Sequence, residues 1–377
     1  MQVNLSIPSL IVHPNDLQQL VEILSGEPII GIDTESNSLH AYREQVCLVQ
    51  FSTPHEDFLV DPLELQDLSP LAPVFANPDI EMVFHAAEYD VMCLKRDFGF
   101  EFMNLFDTMI AARILGIKEV GLGALLLNEF GVTLDKRYQR ANWGKRPLSA
   151  EQLAYACMDT HYLIPLRERL LDELEARQLL ALAVEDFRRV SNVNGNYNHA
   201  ETDICWQIGG AYDLTPRQVA ILIELCEYRD RVAYSLDRPL FKVLSNKTLL
   251  AIAEQCPTQF EQLRRIPGLS PHNLRQHGRE LVSAVRRGLH AEPVRLERPP
   301  RPDSRFLARL DALREWRKNL AQQWKVESDV ILPKDILVEI SKTNPHTMDD
   351  LAVVMETSPW RLQKFGEQIM SVITKKH

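Results

Sequence analysis

Long apolar stretches are missing from this chain of 377 residues. Its longest run without an acidic or basic residue is residues 1–15, and two prolines and two asparagines interrupt that run. A helix that spans a bilayer needs ~20 mostly apolar residues, so no membrane contact is expected. The N-terminus has no basic segment followed by an apolar core, which argues against a signal peptide. We therefore predict a cytoplasmic protein.

Closely spaced cysteine pairs are also absent, and no CxxC motif occurs among the six cysteines. Such scattered cysteines are typical of reduced thiols in a cytosolic protein, and they argue against a structural zinc site. A GxxxxGKS/T phosphate-binding loop is missing too, and a helicase would need one. Zinc-stabilised domains and helicases are thereby disfavoured.

The composition is typical of a globular protein, with 45% apolar and 25% charged residues. The length corresponds to about two and a half domains. The net charge of −10 is unevenly divided: residues 1–200 have 15 basic and 29 acidic side chains, and residues 201–377 have 27 and 23. An acidic half suits an enzyme that collects cations, and a basic half suits a module that binds a polyanion. Solvated surfaces would give the same counts.

Two polar segments divide the chain. Residues 191–200 are polar and aperiodic, and residues 291–304 contain four prolines, which block regular structure. We therefore predict three domains, at 1–195, 208–290 and 303–377. In the first, apolar runs and helical periodicity predict strands at 29–32, 46–51, 58–60 and 81–84 and helices within 106–116, 121–130 and 149–190. We expect a sheet with flanking helices, followed by two all-helical bundles.

The two helical segments resemble each other. With an offset of 88 residues, 220–283 and 308–371 align without a gap, and 16 of the 64 pairs are identical. They include Gly278 with Gly366 and two proline pairs, which helical composition alone rarely produces. We interpret the segments as a duplicated module in which each copy is a bundle of about five helices.

The strongest local signal is the sequence Gly31-Ile32-Asp33-Thr34-Glu35 at the end of an apolar run. Because side chains alternate along a strand, Asp33 and Glu35 project from the same face. Two like charges at a buried edge repel each other unless a cation lies between them, and oxygen ligands favour Mg²⁺ or Mn²⁺. On its own, the pair also suits an exposed strand end.

Two further segments contain residues suited to the same chemistry. Tyr155 and Asp159 are four residues apart in a helical run and therefore lie on one helix face, where a phenol can orient a water beside a carboxylate. His85 and Asp90 follow another apolar run, and Asp90 lies near the start of the next helix. Taken separately, these residues also suit a Tyr–Asp hydrogen bond on a helix surface and a structural histidine.

Together and in this order, the three segments resemble the DEDD superfamily of 3′→5′ exonucleases, in the branch with tyrosine in the last motif. Asp33 and Glu35 match its first motif, Asp90 matches the second, and Tyr155 and Asp159 match the third.

Other stretches narrow this resemblance to the ribonuclease D family. Residues 46–51, 106–108 and 143–148 look like that family, and 210–288 resembles the HRDC module that it shares with certain helicases. The resemblance implies a ribonuclease H-like α/β exonuclease domain with a mixed sheet, followed by HRDC-type bundles. The second bundle is the least typical part.

The resemblance implies phosphodiester hydrolysis with two divalent metal ions, Mg²⁺ or Mn²⁺, held by Asp33, Glu35, Asp90 and Asp159. Asp33 would bridge both ions, and Glu35 would ligate the ion that activates the water. Tyr155 would position that water, because a phenol with a reference pKa of ~10 is protonated at neutral pH. The products would be nucleoside 5′-monophosphates. The expected partner is structured RNA, in particular tRNA precursors with 3′ extensions, with no obligate protein partner.

Several side chains are candidates for contact with RNA, whose phosphates make binding salt-dependent. They are His85, Lys136 and Arg146 in the first domain and Arg264, Arg265 and Arg275 in the first helical copy. The basic run around Lys136 also suits a solvated loop. At the positions of the three helical arginines the second copy has Ala352, Val353 and Gln363. We therefore expect the first copy to bind RNA and the second to pack against the exonuclease domain.

Two other functions stay open at this point. A DNA 3′→5′ exonuclease uses the same metal chemistry, and RNA specificity depends on 2′-hydroxyl contacts that the sequence does not locate. The other is a non-catalytic RNA-binding adaptor, although none of the five core positions is lost.

Overall fold

The computed structural model describes residues 8–195, 203–206, 208–297 and 302–374. The chain divides into two compact units: the first is drawn from Met1–Glu35, Val46–Asn196 and Arg301–His377, and the second from Ser36–Gln45 and Tyr197–Pro300. The C-terminal helical copy thus belongs to the same unit as the sheet. Within the described residues, no helix is long and apolar enough to cross a membrane.

The strands of the first unit are β1 (Ser9–Ile11), β2 (Ile29–Ser36), β3 (Val46–Ser52), β4 (Asp57–Val60), β5 (Glu81–Phe84) and β6 (Leu105–Asp107). Within the described residues they form a six-stranded sheet in the order β1-β4-β3-β2-β5-β6. The β3–β4 pair is antiparallel, whereas β1–β4, β2–β5 and β5–β6 are parallel. The sheet is therefore mixed, and the predicted fold class is confirmed.

The helices that flank this sheet are α1 (Pro14–Ser25), α2 (Pro62–Leu65), α3 (Ala72–Phe75), α4 (Glu88–Phe98), α5 (Thr108–Ile114), α6 (Leu122–Phe130), α7 (Ala150–His161), α8 (Leu163–Ala176) and α9 (Leu180–Ser191), with a 3₁₀ turn at Ser69–Leu71. The periodicity predicted over 149–190 corresponds to α7, α8 and α9. The helix expected within 106–116 starts later than predicted, because the segment opens as β6 and Asp107 caps α5 by accepting from Met109 N and Ile110 N.

The burial of strand β3 shows why the strand sequences are nearly continuous apolar runs. All seven of its residues are buried, since helices cover both faces of the sheet and leave no solvent-facing side. Helix α7 packs against β3 and β4, where Leu48 and Leu59 contact Trp143 and Ala156. The larger core includes Val49 and Phe51 of the same sheet.

The second unit contains α10 (Asp203–Trp206), α11 (Pro216–Leu236), α12 (Leu240–Val243), α13 (Asn246–Gln255) and α14 (Pro271–His290), with 3₁₀ turns at Ala211–Asp213 and Phe260–Arg265. The segment Ser36–Gln45 belongs to it, and the Tyr42 hydroxyl donates to Asp230 Oδ1 at 2.7 Å. The sulfur atoms of Cys205 and Cys226 lie next to each other. The two cysteines are 21 residues apart in sequence, and only the packing of α10 on α11 brings them together.

The C-terminal copy contains α15 (Ser304–Trp324), α16 (Ser328–Ile331), α17 (Lys334–Thr343), α18 (Met348–Val354) and α19 (Pro359–Thr374). Its helices start 88 residues after α11, α12, α13, the 3₁₀ turn at Phe260 and α14, respectively. A buried contact repeats at the same offset: Arg229 Nη1 donates to Leu244 O at 3.1 Å, and Arg317 Nη1 donates to Leu332 O at 2.8 Å. The identical residue pairs therefore occupy equivalent structural positions.

The C-terminal copy packs against the part of the first unit that contains the sheet, as the sequence led us to expect. Helix α19 contacts α9, and four side chains of this copy join the apolar core of the sheet: Trp324, Val326, Val330 and Trp360. The copies thus share a fold and differ in what surrounds them.

Candidate active site

Strand β2 positions the first pair of candidate residues, Asp33 and Glu35, which are both half-buried. The strand approaches the end of α7 closely at Gly31, where a Cβ would lie 3.1 Å from the Thr160 carbonyl oxygen. A side chain there would press against this carbonyl, so glycine favours the close approach. The approach sets β2 beside the helix that carries Tyr155 and Asp159.

Helix α7 starts with a capping box in which Ser149 accepts from Gln152 N and Gln152 accepts from Ser149 N. Near its other end, His161 Nδ1 lies 2.8 Å from Asp57 Oδ2, and Ser52 Oγ donates to Asp57 Oδ1 at 2.6 Å. Burial alone would raise the pKa of Asp57, but these hydrogen bonds outweigh it and the pKa lies below its usual value. The network fastens α7 to β3 and β4.

Asp90, on the first turn of α4, is only 7% exposed. Thr34, which lies between Asp33 and Glu35, donates its hydroxyl to Asp90 Oδ1 at 2.5 Å. This contact ties the first predicted motif to the second. Thr34 could not be identified from the sequence, because its hydrogen-bond partner is 56 residues away.

A cavity of about 520 Å³ brings most of the predicted site residues of the first domain together. Its walls include Asp33, Glu35, His85, Lys136, Tyr155 and Asp159. Gly121 and Leu122, at the start of α6, line the same cavity. Gly121 has no side chain to cap that helix, so backbone N–H groups at its N-terminus are suited to an anion.

The four carboxylates repel one another. Burial, followed by the charges of Asp90, Asp159 and Glu35, raises the pKa of Asp33 well above its ordinary value. Burial and the charges of Asp159 and Asp90 raise the pKa of Glu35 to about 9. Burial raises the pKa of Asp90 to about 7 against the lowering effect of the Thr34 hydrogen bond. The pKa of Asp159 is about 7 for a similar reason.

This donor set fits hard divalent cations, because bound positive charge would relieve the repulsion and carboxylate oxygens are the ligands such ions prefer. Within the described residues, no group of three or more His, Cys, Asp and Glu side chains is arranged to hold an ion. The Asp90 carboxylate instead accepts from the Thr34 hydroxyl.

Tyr155 is a neutral phenol in this setting. Burial, and then the charges of Asp159, Glu35 and Asp33, raise its pKa above the usual value. The hydroxyl can therefore orient a water molecule, whereas removing a proton from that water would require a phenolate.

His85 is also neutral, because burial lowers its pKa to about 4. It lines the cavity, but it cannot act there as a phosphate-binding cation at neutral pH. Lys136 is exposed and is the cationic side chain among the predicted residues that line this cavity.

Arg146 has a structural environment. Its guanidinium forms two contacts with Asp61, at 2.5 and 2.7 Å, and donates to Cys47 O and Trp143 O. Asp61 is 1% exposed, so this pair is part of the interior. We therefore withdraw Arg146 from the set of candidate RNA contacts.

Arg264, Arg265 and Arg275 lie in the second unit, and all three are exposed. Arg264 and Arg265 end the 3₁₀ turn at Phe260–Arg265, and Arg275 is on the first turns of α14. Their exposure is compatible with phosphate contacts.

Asp107 and Thr108 were not predicted as site residues, although residues 106–108 contributed to the family resemblance. Asp107 accepts from Ala86 N and Ala87 N, at 3.2 and 2.7 Å, and thereby holds the turn between His85 and α4. Thr108 Oγ1 lies 2.9 Å from His85 Nδ1. Comparison of motifs can point to such residues, but it does not show with which groups they form hydrogen bonds.

Comparison with known proteins identifies the family. A family model described as 3′-5′ exonuclease matches residues 9–175, and one described as HRDC domain matches 218–285 and 306–373. The chain is 33% identical over 265 residues to "Ribonuclease D" of Gluconacetobacter diazotrophicus, covering 70% of this chain and 67% of that protein. The chain belongs to the ribonuclease D family. The predicted family is thereby confirmed.

Relatives of this ribonuclease D family member extend beyond bacteria. "Protein RRP6-like 2" of Arabidopsis thaliana is 33% identical over 292 residues, which is 73% of this chain. The match covers only 33% of that plant protein, and one with "Exosome complex exonuclease RRP6" of Saccharomyces cerevisiae covers 41%. The chain thus spans less than half the length of these relatives.

A solved structure matches nearly the whole chain. "Escherichia coli RNase D, an exoribonuclease involved in structured RNA processing" superposes with a TM-score of 0.72 at 25% identity. The superposition covers 98% of this chain and 99% of the other. The order of an exonuclease domain and helical modules is therefore common to both proteins.

Proposed function

We propose that this chain is a metal-dependent 3′→5′ exoribonuclease that releases nucleoside 5′-monophosphates from structured RNA. The observation that supports this most directly is the shared cavity of Asp33, Glu35, Tyr155 and Asp159 in a member of the ribonuclease D family. The buried Asp90 is coupled to it through Thr34. We keep tRNA precursors with 3′ extensions as the proposed substrate.

Asp33, Glu35, Asp90 and Asp159 would hold two divalent ions, either Mg²⁺ or Mn²⁺. When bound, such ions stabilise negative charge on the attacking and leaving oxygens of a phosphoryl displacement. The raised pKa values of these four groups support this assignment, because each carboxylate sits where extra positive charge would stabilise its ionised form.

Tyr155 orients the attacking water. Its phenol lines the same cavity as Asp159, and the phenol oxygen has lone pairs that can accept from a water molecule. Because its pKa is raised, Tyr155 acts by positioning rather than as a general base.

The acidic cavity must also accept a negatively charged strand. Lys136 and the N-terminus of α6 line the same cavity as the carboxylate pair of β2. They would offset phosphate charge next to the scissile bond. A flexible 3′ end would fit this cavity of about 520 Å³, whereas a paired duplex end would not.

The exposed arginines of the first helical copy, Arg264, Arg265 and Arg275, would contact the folded body of the RNA. We divide the chain accordingly into an exonuclease domain at 1–195, an HRDC domain at 208–290 and a second HRDC-like domain at 303–377. A cytoplasmic location and the absence of an obligate protein partner are part of the same proposal.

The decisive experiment is a gel time course on a tRNA with a short 3′ extension, labelled at its 5′ end. Wild type, Asp33→Ala and Asp79→Ala are compared with Mg²⁺, Mn²⁺ or EDTA, beside a DNA strand of the same sequence. Asp79 is an exposed loop carboxylate and serves as the matched control.

We expect the RNA to shorten stepwise with wild type and Asp79→Ala, and to persist in EDTA and with Asp33→Ala. Equal degradation of DNA would overturn the RNA assignment and leave the metal chemistry intact. If RNA is bound but never shortened, the chain is an adaptor and the proposed activity is wrong.

A further inference from the structure

A contact with Thr108, which does not line the cavity, fixes the imidazole of His85. His85 follows the last residue of β5, and its Nδ1 lies 2.9 Å from Thr108 Oγ1. Thr108 is 0% exposed and is not among the cavity-lining residues, whereas His85 is. The edge of the ring that faces the cavity is therefore the opposite one, with Nε2.

The same threonine fixes which ring nitrogen carries the proton. Thr108 Oγ1 donates to the Phe84 carbonyl oxygen at 3.0 Å, and a hydroxyl has one proton to give. Its contact with His85 Nδ1 must then be a hydrogen bond that the ring donates. A neutral imidazole has a single N–H, so Nε2 has a free lone pair and is a hydrogen-bond acceptor.

The backbone around His85 is rigid as well. Ala86 has a left-handed conformation with φ 63°, which a residue with a side chain adopts only when its surroundings impose it. Asp107 imposes it by accepting from the N–H groups of Ala86 and Ala87. The acceptor on His85 is therefore presented at a fixed position.

A strand end that enters this cavity offers few hydrogen-bond donors. Phosphates only accept, the amino groups of bases differ from one base to the next, and the sugar hydroxyls are present on every ribonucleotide. An enzyme that removes successive nucleotides regardless of base and needs a donor on each of them must use the hydroxyl groups of the sugar. The 2′-hydroxyl is the donor that RNA has and DNA lacks.

We infer that His85 Nε2 accepts a hydrogen bond from the 2′-hydroxyl of the 3′-terminal ribose, and that this contact selects RNA over DNA. The inference rests on the proposed function, because it assumes that a 3′ end enters the cavity. Thr108 acts through His85 as a positioning residue.

The test uses three RNA oligonucleotides that differ only in the terminal nucleotide, which is ribo, 2′-deoxy or 3′-deoxy. Single-turnover cleavage with Mn²⁺ and equilibrium binding in EDTA are measured for wild type, His85→Ala, His85→Gln and Thr108→Val. Gln139→Ala is the control, because Gln139 lines the same cavity and is exposed. Circular dichroism checks that each variant is folded.

We expect wild type to prefer the ribo end over the 2′-deoxy end by about 10- to 100-fold, the effect of leaving an acceptor unpaired. His85→Ala should reduce this ratio to near one by slowing only the ribo and 3′-deoxy substrates. His85→Gln, which restores an acceptor, should recover part of the ratio, and Thr108→Val should lose part of it. Gln139→Ala should alter the three substrates equally.

The inference is overturned if His85→Ala slows all three substrates by the same factor, or if the 3′-deoxy end rather than the 2′-deoxy end is discriminated. Binding in EDTA separates this result from the proposed function. If wild type cleaves nothing but its 2′-hydroxyl preference in binding disappears in His85→Ala, then the activity is wrong and the role of His85 stands.

Discussion

Arg361 forms a buried ion pair with Glu185, 3.0 Å from Nη1 to Oε2, and joins the second HRDC-like copy to helix α9. The guanidinium is 0% exposed and also contacts Asp186 at 2.8 Å. Glu185 in addition accepts from the backbone N–H of Trp360. The first copy has Asn273 at the equivalent position, so it lacks the charge that makes this contact.

Replacing Arg361 with methionine should destabilise the first unit strongly. Glu185 is 3% exposed, and a buried charge left without its partner costs about 3–5 kcal/mol. Urea unfolding followed by tryptophan fluorescence measures the loss, since Trp324 and Trp360 lie at this contact. Arg314→Met breaks the exposed Arg314–Asp311 pair and should change stability by less than about 1 kcal/mol.

The double variant Arg361→Met with Glu185→Leu provides the second comparison. Removing the Glu185 charge as well should recover part of the lost stability, because the unpaired Glu185 carboxylate is the larger penalty, while Asp186 and the Trp360 N–H still lose a partner. If the double variant is no more stable than Arg361→Met, packing of the guanidinium rather than its charge holds the copy in place.

The hydrogen bond from Thr34 to Asp90 should matter for metal binding. Thr34→Val keeps the shape of the side chain and removes the donor, so the Asp90 carboxylate loses the contact that orients it. Loss of such a supporting contact typically costs about 10- to 100-fold in metal affinity or activity. Calorimetric titration with Mn²⁺ measures the affinity. Thr34→Ser retains the hydroxyl and should stay within a few-fold of wild type; an equal loss in Thr34→Ser would show that the hydrogen bond to Asp90 is not what sets the metal affinity.

The central strands could be predicted because burial makes them apolar. Residues 46–51 and 81–84 correspond closely to β3 and β5, whereas β1 and β6 were missed. Each of these has three residues, too few for a period to be recognised. The start of α5 depends on Asp107, which also serves the turn at Ala86. A dual role of this kind is not visible in a local pattern.

The candidate site shows the same difference between local patterns, which the sequence reveals, and long-range contacts, which it does not. Asp33 and Glu35 were recognisable because both lie within one strand, and Tyr155 and Asp159 because both lie on one helix. The contacts of Thr34 and Arg146 could not be predicted, because their partners, Asp90 and Asp61, are 56 and 85 residues away. Spacing along a strand or helix predicts neighbours on that element, and contacts between elements require the fold.

Gly31→Ala should loosen the contact between β2 and α7. The added Cβ would lie 3.1 Å from the Thr160 carbonyl oxygen, and such overpacking costs about 1–3 kcal/mol. Exonuclease activity should fall as well, because α7 carries Tyr155 and Asp159. Thermal unfolding and the gel assay are measured together. Gly26→Ala, where the nearest atom would be 3.4 Å away, is the control and should behave like wild type.

Arg146 and Lys136 should separate stability from RNA binding. Arg146→Ala leaves the buried Asp61 carboxylate unpaired and should cost about 3–5 kcal/mol, with no change in how RNA affinity depends on salt. Lys136→Ala should leave the free energy of unfolding unaltered and should weaken RNA binding. The slope of log affinity against log salt concentration should fall by about the amount that one phosphate contact contributes. Fluorescence anisotropy at several salt concentrations measures the slope. A reduced slope in Arg146→Ala would restore that residue as an RNA contact.

The first HRDC domain should lose stability in mild acid through His277. This side chain is 5% exposed, and the Tyr228 hydroxyl lies 2.8 Å from its Nδ1. Burial, and then the charge of His272, lowers the pKa of His277. The unfolded chain, with a histidine pKa of ~6.5, therefore binds the proton more readily than the folded one. Stability is fully present above the unfolded pKa and is lost as the pH falls below it toward the folded pKa.

His277→Gln should remove this part of the pH dependence, because glutamine does not titrate and can still accept from Tyr228. The measurement is the free energy of unfolding from urea titrations between pH 7.5 and 5, with hydrogen exchange of α11 and α14 to locate the change. His13→Gln, at an exposed position before α1, should follow wild type at every pH. If His277→Gln retains the full loss of stability in acid, a group other than His277 titrates on unfolding, and the Tyr228 contact only packs the two helices together.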